Sequence, residues 1–301
     1  MYTWIIENKL AQSPLLAVSM LNTVAKVFTG VAVLPTVSEL GPLYLDYLKS
    51  LGVDLLYIPT HDRFPVDLLD ILRVSAFIER QLEMGGKVLV HCYGGLGRSG
   101  LITASYLVFK EMSVQSALSH VRKKIPGSVE NKWQVQVLED YGAFLTAVDR
   151  NNLTRFIEAI EEIAERDIYA YRHLSKVIQF TIELYRGFNL KQIDLEKELL
   201  ISMVHSHKKE ISEVLRRKIG FKAGESSGGE LSYLAHLLDY REDSRVVVID
   251  IEDIDGGKIK LLCSYPCQDV ADKLKRDLAK LVDKISRHKL KLDWDLYLNH
   301  V

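Results

Sequence analysis

The segment that decides the fold of the first half of the chain is KVLVHCYGGLGRSG, residues 87–100. It begins with an apolar run that predicts a buried strand over residues 87–92. A glycine-rich loop follows, and Ser99 begins a helix predicted to extend to Lys110. Strand, short loop and helix in this order are typical of a parallel sheet, because parallel strands need crossover connections.

The same alternation extends outward from this segment through residues 1–149. The predicted strands occupy residues 4–6, 10–12, 27–35 and 53–59, and the predicted helices occupy residues 14–26, 38–51, 66–84, 113–124 and 131–149. We therefore expect an α/β domain, a mostly parallel sheet with helices on both faces.

A second domain is predicted from residue 150 onward. Residues 151–207 are almost wholly helical in pattern, and a glycine turn at 255–257 separates two apolar runs that predict a small β-hairpin. The expected organisation is a domain at 1–149 and a mostly helical domain with a hairpin at 150–301. The second domain is expected to regulate the first or to select its substrate.

Composition excludes several classes of protein. The chain has 301 residues with 39 Lys and Arg against 40 Asp and Glu, a net charge of -1. This balance argues against nucleic-acid binding and against general membrane-surface binding. Three cysteines do not make a disulfide framework. We therefore expect a reducing compartment, and the cytoplasm is the expected location.

The loop after the central strand is built to hold an anion. Gly94, Gly95 and Gly97 allow the backbone to curl tightly with successive amides turned inward, which makes an anion nest. The helix that follows adds free N–H groups and the positive end of its dipole. The sequence therefore predicts a cradle for a dianion of about the size of phosphate.

Cysteine chemistry is predicted inside this cradle. Cys92 lies at the start of the loop, where the amides stabilise its nucleophilic thiolate. Arg98 can hold two phosphate oxygens with its planar fork. Ser99 can hydrogen-bond the sulfur, and His91 is expected to order the loop backbone.

A general acid is expected in the loop after another strand. Asp62 lies in IPTHDRFP, and loops after parallel strands gather at one edge of the sheet. Asp67 and Asp70 are alternatives, although both fall on a predicted helix. A thiolate and a carboxylic acid required together predict a bell-shaped pH profile.

The pattern HCxxGxxRSG with an upstream aspartate resembles the protein tyrosine phosphatase superfamily, in particular its compact dual-specificity branch with small archaeal members. The resemblance covers about residues 1–148, including WIIENKLAQSP and IPGSVENKWQVQVL. It implies that Cys92 is the nucleophile, Arg98 the phosphate clamp, Ser99 an aid to dephosphorylation and Asp62 the general acid. No cofactor or metal is implied.

The resemblance also assigns residues around the nucleophile. Tyr93, Gly94, Gly95, Leu96 and Gly97 form with Arg98 the substrate-binding loop, and His91 belongs to the catalytic motif. Gln134 matches the glutamine that positions water in some members. Gln136 lies two residues on and would point to a different helix face, so only one of the two can serve.

Phosphorylated proteins are the expected substrates, with phosphotyrosine ahead of phosphoserine and phosphothreonine. The loop lacks the lysines found in members that act on multiply phosphorylated inositol. A polyphosphate or nucleotide phosphohydrolase, with the second domain gripping the substrate, is one alternative. A phosphoprotein-binding adaptor is another. The sequence does not define the oligomeric state.

Residues 150–301 weakly resemble the helical C-terminal domain of exopolyphosphatase-like proteins. In a degenerate HD-type arrangement, His173, His205 and His236 would fill metal-ligand positions, with Ser206 in place of an aspartate. The missing carboxylates argue against a metal site, and surface or capping roles are the alternative. Cys263 and Cys267 are expected to be small buried hydrophobic residues.

Overall fold

The computed structural model describes a chain of two compact units, Met1–Gly142 and Ala143–Val301. It describes residues 2–187, 189, 194–205, 213–214, 217–218, 230–239, 246–253, 258–263, 269–270, 272–273 and 295–300. The division between the units falls inside the helix Lys132–Ala147, before the boundary at 149/150 that the sequence predicts.

The first unit is built on a five-stranded sheet of order β1-β2-β5-β3-β4. Its strands are β1 (Thr3–Ile6), β2 (Leu10–Ser13), β3 (Gly30–Val33), β4 (Asp54–Tyr57) and β5 (Val88–His91). β1 and β2 are antiparallel, whereas β2, β3 and β4 join β5 in a parallel arrangement. The mostly parallel sheet predicted from the sequence is confirmed.

Helices cover both faces of this sheet. They are α1 (Val18–Ala25), α2 (Val37–Leu40), α3 (Tyr44–Ser50), α4 (Leu68–Glu83), α5 (Gly97–Phe109), α6 (Val114–Lys124) and α7 (Lys132–Ala147). Side chains from α1 and α3 pack on the face that carries Val31, Val33 and Leu89. α4 and α5 contact β3, β2 and β5, so the central strand β5 is buried on both faces.

The single helix predicted over residues 38–51 is wrong. Gly41 has φ +76° and ends α2, and Pro42 separates it from α3, which begins at Tyr44. The N-cap is Thr36 rather than Ser38, and its backbone and side chain both bind the carboxylate of Glu39. This capping box keeps a short helix in place at the edge of the sheet.

The second unit is mostly helical around one long, buried helix. Its helices are α8 (Arg150–Arg166), α9 (Ile168–Gly187), α10 (Leu195–His205) and α11 (Glu230–Leu238). α9 contacts the other three and also β6. In the described part of the chain, no helix has the length and apolar character needed to cross a membrane.

The hairpin predicted near the end of the chain forms, and a third strand joins it. β6 (Val246–Asp253) and β7 (Lys258–Cys263) are antiparallel, and β8 (Asp295–His300) lies parallel to β7. Cys263 is buried, as the sequence predicts, and it is disulfide-bonded. Cys267 and residues 206–212 lie outside the described residues.

Truncating Leu89 to alanine tests the burial of β5. Leu89 is 0% exposed in the core, so Leu89→Ala removes packing on the face covered by α1 and α3 and leaves a cavity. We expect a loss of about 2–5 kcal/mol in the free energy of unfolding, measured by urea denaturation. Leu43→Ala removes the same atoms from a side chain that is 74% exposed. Equal losses in the two variants would contradict the fold.

Candidate active site

Three loops meet at the carboxyl edge of the parallel strands. The segments after β3, β4 and β5 carry Glu39, Asp62 and Cys92. Such loops lie on one edge of a parallel sheet. Arg98 of α5 contacts both carboxylates directly. The structure therefore brings Cys92, Arg98 and Asp62, which the sequence singles out, into one place with Glu39, which it does not.

Cys92 is held with its sulfur among hydrogen-bond donors. The side chain is buried at 2% exposure. The backbone N–H of Gly95 lies 3.2 Å from Sγ, and the hydroxyl oxygen of Ser99 also lies 3.2 Å from Sγ. Donors directed at sulfur, together with the N-terminus of α5, stabilise negative charge on it.

Gly95 gives the loop a shape that other residues cannot adopt. Its φ is +73°, in the left-handed region that glycine enters freely. A Cβ on Gly95 would lie 2.8 Å from the backbone of both Ser13 and Pro14. The loop therefore rests directly on the end of β2, and this contact leaves no room for a side chain.

The guanidinium of Arg98 is buried at 1% exposure, and both of its terminal nitrogens donate hydrogen bonds. Nη1 donates to Oε2 of Glu39 at 2.9 Å and to the carbonyl of Thr60 at 2.6 Å. Nη2 donates to Oε1 of Glu39 at 2.7 Å and to Oδ1 of Asp62 at 3.0 Å. Glu39 thus grips the arginine with both oxygens, and Asp62 adds a single contact.

Glu39 stays ionised because of its hydrogen bonds with Arg98. Burial alone would raise its pKa, but hydrogen bonds from Arg98 and from the Thr36 backbone outweigh burial and lower the pKa to about 2. Burial alone would lower the pKa of Arg98. The hydrogen bond with Glu39 and the nearby charges of Cys92 and Asp62 outweigh burial, so the pKa of the guanidinium is raised.

Asp62 occupies a much more open position than Glu39. Its side chain is 65% exposed, whereas that of Glu39 is 19% exposed. Of the other two sequence candidates, Asp67 occupies the N-cap position of α4 and Asp70 pairs with Arg73 at 3.4 Å. Among the three candidates, Asp62 is the carboxylate that the structure places against the arginine.

His91 lies beneath the loop and is fully buried. Burial lowers its pKa to about 4, so the imidazole is neutral at pH 7. Its Nε2 lies 3.4 Å from the hydroxyl of Tyr44, and the two rings meet edge to face. A neutral, packed imidazole in this position orders the strand end rather than carrying charge.

Gln134 is buried beside the loop, whereas Gln136, two residues further along the helix, is half-buried. A Cβ on Gly97 would lie 2.8 Å from Nε2 of Gln134. Oε1 of Gln134 accepts the N–H of Glu130 at 2.8 Å. Of the two glutamines that the sequence offers, Gln134 is therefore the one next to the start of α5.

The rim of the site carries exposed side chains and little positive charge. Tyr93 is 56% exposed, and nothing lies within 4 Å of a Cβ built on Gly94. Leu96 is the last loop residue and precedes α5. Arg63 has φ +64°, and its carbonyl accepts from Nδ2 of Asn131 at 2.9 Å. The loop itself offers only backbone donors and Arg98 to an anion.

Sequence reasoning missed two residues of this site. Glu39 could have been found, because Thr36-x-x-Glu39 is a capping-box pattern that fixes a carboxylate after β3. Gln12 gives no comparable signal. It lies in β2, is 0% exposed, and its Nε2 donates to the carbonyl of Gly95 at 2.9 Å.

In the second unit, two of the three predicted histidines meet. Nε2 of His173 lies 3.1 Å from Nδ1 of His236, and Nδ1 of His173 lies 2.8 Å from Oδ2 of Asp239, which the sequence reasoning did not consider. The side chain of His205 lies outside the described residues. Among those described, no group of three or more His, Cys, Asp or Glu could hold a metal ion.

Comparison with known proteins finds similarity in the first unit. Residues 30–144 match the model for "Dual specificity phosphatase, catalytic domain". The protein tyrosine phosphatase domain-containing protein 1 of Danio rerio is 37% identical over 79 residues, 26% of this chain and 10% of that protein. The phosphatidylglycerophosphate phosphatase PTPMT2 of Arabidopsis thaliana is 35% identical over 88 residues, 29% of this chain and 39% of that protein.

Two solved structures are similar to about half of this chain. Tk-PTP in its active form is 35% identical, with a TM-score of 0.45, and the match covers 47% of this chain and 96% of that chain. PTPMT1 in complex with PI(5)P is 22% identical, with a TM-score of 0.46, covering 48% of this chain and 97% of that chain. By contrast, the chain spans about a tenth of the Danio rerio protein.

Replacing Glu39 by glutamine tests its ion pair with Arg98. The pKa of Glu39 lies at about 2, below its ordinary value of 4.5, so its ionised form stabilises the fold above pH 4.5 and that contribution is lost as the pH falls toward 2. We expect Glu39→Gln to lose about 1–3 kcal/mol at pH 7 and to show a shallower loss of stability over this acid range. Urea denaturation at several pH values measures both.

Glu79→Gln is the matched control. Burial would raise the pKa of Glu79, but hydrogen bonds from Lys110 and Tyr106 lower it, and neither of these partners belongs to the site. Both variants should flatten the acid dependence, whereas only Glu39→Gln should weaken the binding of inorganic phosphate. If the stability of Glu39→Gln depended on acid pH as the stability of wild type does, the ion pair between Glu39 and Arg98 would be contradicted.

Proposed function

Because residues 30–144 match the model for the catalytic domain of dual specificity phosphatases, we propose that this chain hydrolyses phosphate monoesters through a phosphocysteine on Cys92. Phosphotyrosine in proteins is the proposed preferred substrate. The observation that carries this proposal is the position of the Cys92 sulfur, 3.2 Å from the amide of Gly95 and 3.2 Å from the hydroxyl of Ser99.

In the first step the thiolate of Cys92 attacks phosphorus. The S–P bond forms while the bond from phosphorus to the ester oxygen breaks, and the leaving oxygen takes a proton. Loop amides and Arg98 neutralise the phosphoryl oxygens during transfer, which is where such electrostatic support is most effective. The engaged guanidinium is already oriented by Glu39, so little reorganisation is needed.

Asp62 is the proposed proton donor. Its single contact with Arg98 and its 65% exposure make it the carboxylate that an incoming phosphate can displace. Once displaced, the carboxylate takes up a proton from solvent and can donate that proton to the ester oxygen of the leaving group. The two contacts from Glu39 keep the arginine in place during this exchange.

The second step releases phosphate. A water attacks the phosphocysteine, the S–P bond breaks, and the electron pair returns to sulfur. Ser99 supports the departing thiolate through its hydroxyl, 3.2 Å from Sγ. Asp62, now ionised, takes the proton of the water, and Gln134 is proposed to orient that water from its buried position beside Gly97.

Charge and exposure at the rim support a singly phosphorylated aryl substrate. The loop residues Tyr93 to Gly97 carry no basic side chain for a second phosphate. The exposed ring of Tyr93 can pack against a phosphorylated aromatic side chain. Phosphotyrosine also has a better leaving group than phosphoserine or phosphothreonine, which are proposed to react more slowly.

A phospholipid monoester is the second candidate substrate. One relative, PTPMT2 of Arabidopsis thaliana, is named a phosphatidylglycerophosphate phosphatase. The same single-phosphate loop would accept such a headgroup. Comparing kcat/KM for a phosphotyrosine peptide, a phosphoserine peptide and vesicles of phosphatidylglycerophosphate distinguishes the two candidates. The highest value for the vesicles would overturn the proposed preference for proteins.

We also propose that residues 1–149 form the phosphatase domain. Residues 150–301 are proposed to form a domain that regulates it or selects its substrate. The likeness of the second domain to exopolyphosphatase-like proteins also stays a prediction. His173, His236 and Asp239 form a hydrogen-bonded chain there, and the proposed mechanism does not use it.

Cys92→Ser tests the nucleophile. A serine hydroxyl is much less readily ionised than a thiol, so turnover of an aryl phosphate should fall by about 10³-fold or more. The amides and Arg98 are unchanged, so inorganic phosphate should still bind in calorimetric titration. Turnover within tenfold of wild type in a folded Cys92→Ser protein would exclude the covalent route.

Asp62→Asn tests the general acid through the leaving group. The variant should slow release of a poor leaving group by about 10²–10⁴-fold, and a leaving group that departs without a proton should be affected far less. Initial rates on a series of aryl phosphates of graded phenol acidity provide the measurement. Asp70→Asn, which alters a carboxylate paired with Arg73, is the control, and a uniform loss across the series would contradict the acid role of Asp62.

A further inference from the structure

The glycine-rich loop is held by bonds to its outward-facing carbonyls. The backbone N–H of Leu15 donates to the carbonyl of Tyr93 at 2.9 Å. The side chain of Gln12 donates to the carbonyl of Gly95 at 2.9 Å. Both donors come from β2 or the residues just after it. The sheet therefore fixes two peptide planes of the loop from outside.

Fixing a carbonyl also fixes the next amide. In a trans peptide the C=O and the following N–H point in opposite directions. The carbonyl of Tyr93 points toward Leu15, so the N–H of Gly94 points away from Leu15. The carbonyl of Gly95 points toward Gln12, so the N–H of Leu96 points away from Gln12.

The peptide after Gly95 depends on this bond more than an ordinary peptide would. Glycine adopts positive and negative φ at similar cost, so the peptide planes beside Gly95, at φ +73°, are intrinsically easy to rotate. Gly94 is its neighbour and adds the same freedom. An external donor is needed to keep one orientation.

The side chain of Gln12 is itself held in one orientation. Its Oε1 accepts the hydroxyl of Thr103 at 2.7 Å, and its Nε2 donates to the hydroxyl of Ser128 at 3.2 Å as well as to Gly95. Gln12, Thr103 and Ser128 are all 0% exposed. Because the Thr103 hydroxyl also lies within reach of the carbonyl of Gly100, the network joins β2 to the first turn of α5.

We propose that Gln12 is a positioning residue for the oxyanion cradle: by binding the carbonyl of Gly95 it keeps the amide of Leu96 turned toward the phosphoryl group. This inference rests on the proposed function, because it assigns Gln12 to the same phosphate-binding loop. Gln12 touches neither the substrate nor Cys92, and it acts only through the orientation of the loop backbone.

Gln12→Met provides the direct test. Methionine fills a similar volume but donates no hydrogen bond, so the peptide after Gly95 is released. The dissociation constant for inorganic tungstate, measured by calorimetry, should rise about tenfold or more, the equivalent of losing one good hydrogen bond. Ser128→Ala removes the other acceptor of Nε2 and leaves the bond to Gly95, so its tungstate affinity should stay within about twofold of wild type.

Steady-state kinetics separate positioning from loss of folded protein. Gln12→Met should raise KM for an aryl phosphate, because the amide of Leu96 no longer faces the bound phosphoryl group. A merely structural role would reduce the amount of active protein, lowering kcat and leaving KM unchanged. Thr103→Val, which removes the hydroxyl that orients Gln12, should raise KM in the same direction by a smaller factor and serves if Gln12→Met does not fold.

Two results would overturn the role of Gln12 alone. In the first, wild type turns over aryl phosphate and folded Gln12→Met binds tungstate with the same affinity as wild type. The other is an equal loss of affinity in Ser128→Ala and Gln12→Met. A wild-type protein that binds no tungstate would overturn both the cradle and the proposed function, so the two failures are distinguishable.

Discussion

The buried guanidinium of Arg98 is the interaction on which the site depends. A charge removed from water is stable only when it is paired and fully hydrogen-bonded. Arg98 is paired with Glu39 after β3 and bonded to Thr60 and Asp62 after β4 through its two terminal nitrogens, and it is itself carried by the helix after β5. One side chain thus ties the loops of three adjacent strands into a single site.

The two carboxylates on Arg98 are not equivalent. Glu39 binds with both oxygens, is mostly buried and is anchored by the capping box at Thr36. Asp62 binds with one oxygen and is mostly exposed. A phosphate that approaches the arginine therefore competes with Asp62, and this competition would deliver the proton donor to the substrate when the substrate arrives.

The sequence predicted the local structure of the site well because that structure is formed by contiguous residues. The run from His91 to Gly100 contains strand end, loop and helix start together, and the mostly parallel sheet follows from the periodicity around it. What it could not predict depends on distant residues. The bond from Gln12 to Gly95 spans 83 positions, and a buried polar residue in a four-residue strand gives no pattern to recognise.

Other differences between the sequence predictions and the structure also have either local or distant causes. Gly41 and Pro42 break the helix predicted at 38–51, a signal that the apolar spacing obscured. The pairing of β8 with β7 joins segments far apart in the chain. The meeting of His173 with Asp239 depends on how α9 packs against α11. Spacing along one helix contains no information about such contacts.

Acid quenching during turnover tests the central claim most directly. The wild-type protein is mixed with an excess of an aryl phosphate whose leaving group departs readily, so that hydrolysis of the intermediate is the slower step, and is then quenched in acid and mapped by peptide mass spectrometry. The account predicts one phosphoryl group on the sulfur of Cys92. Continued release of phosphate with no phosphorylated Cys92 at any quench time would contradict it.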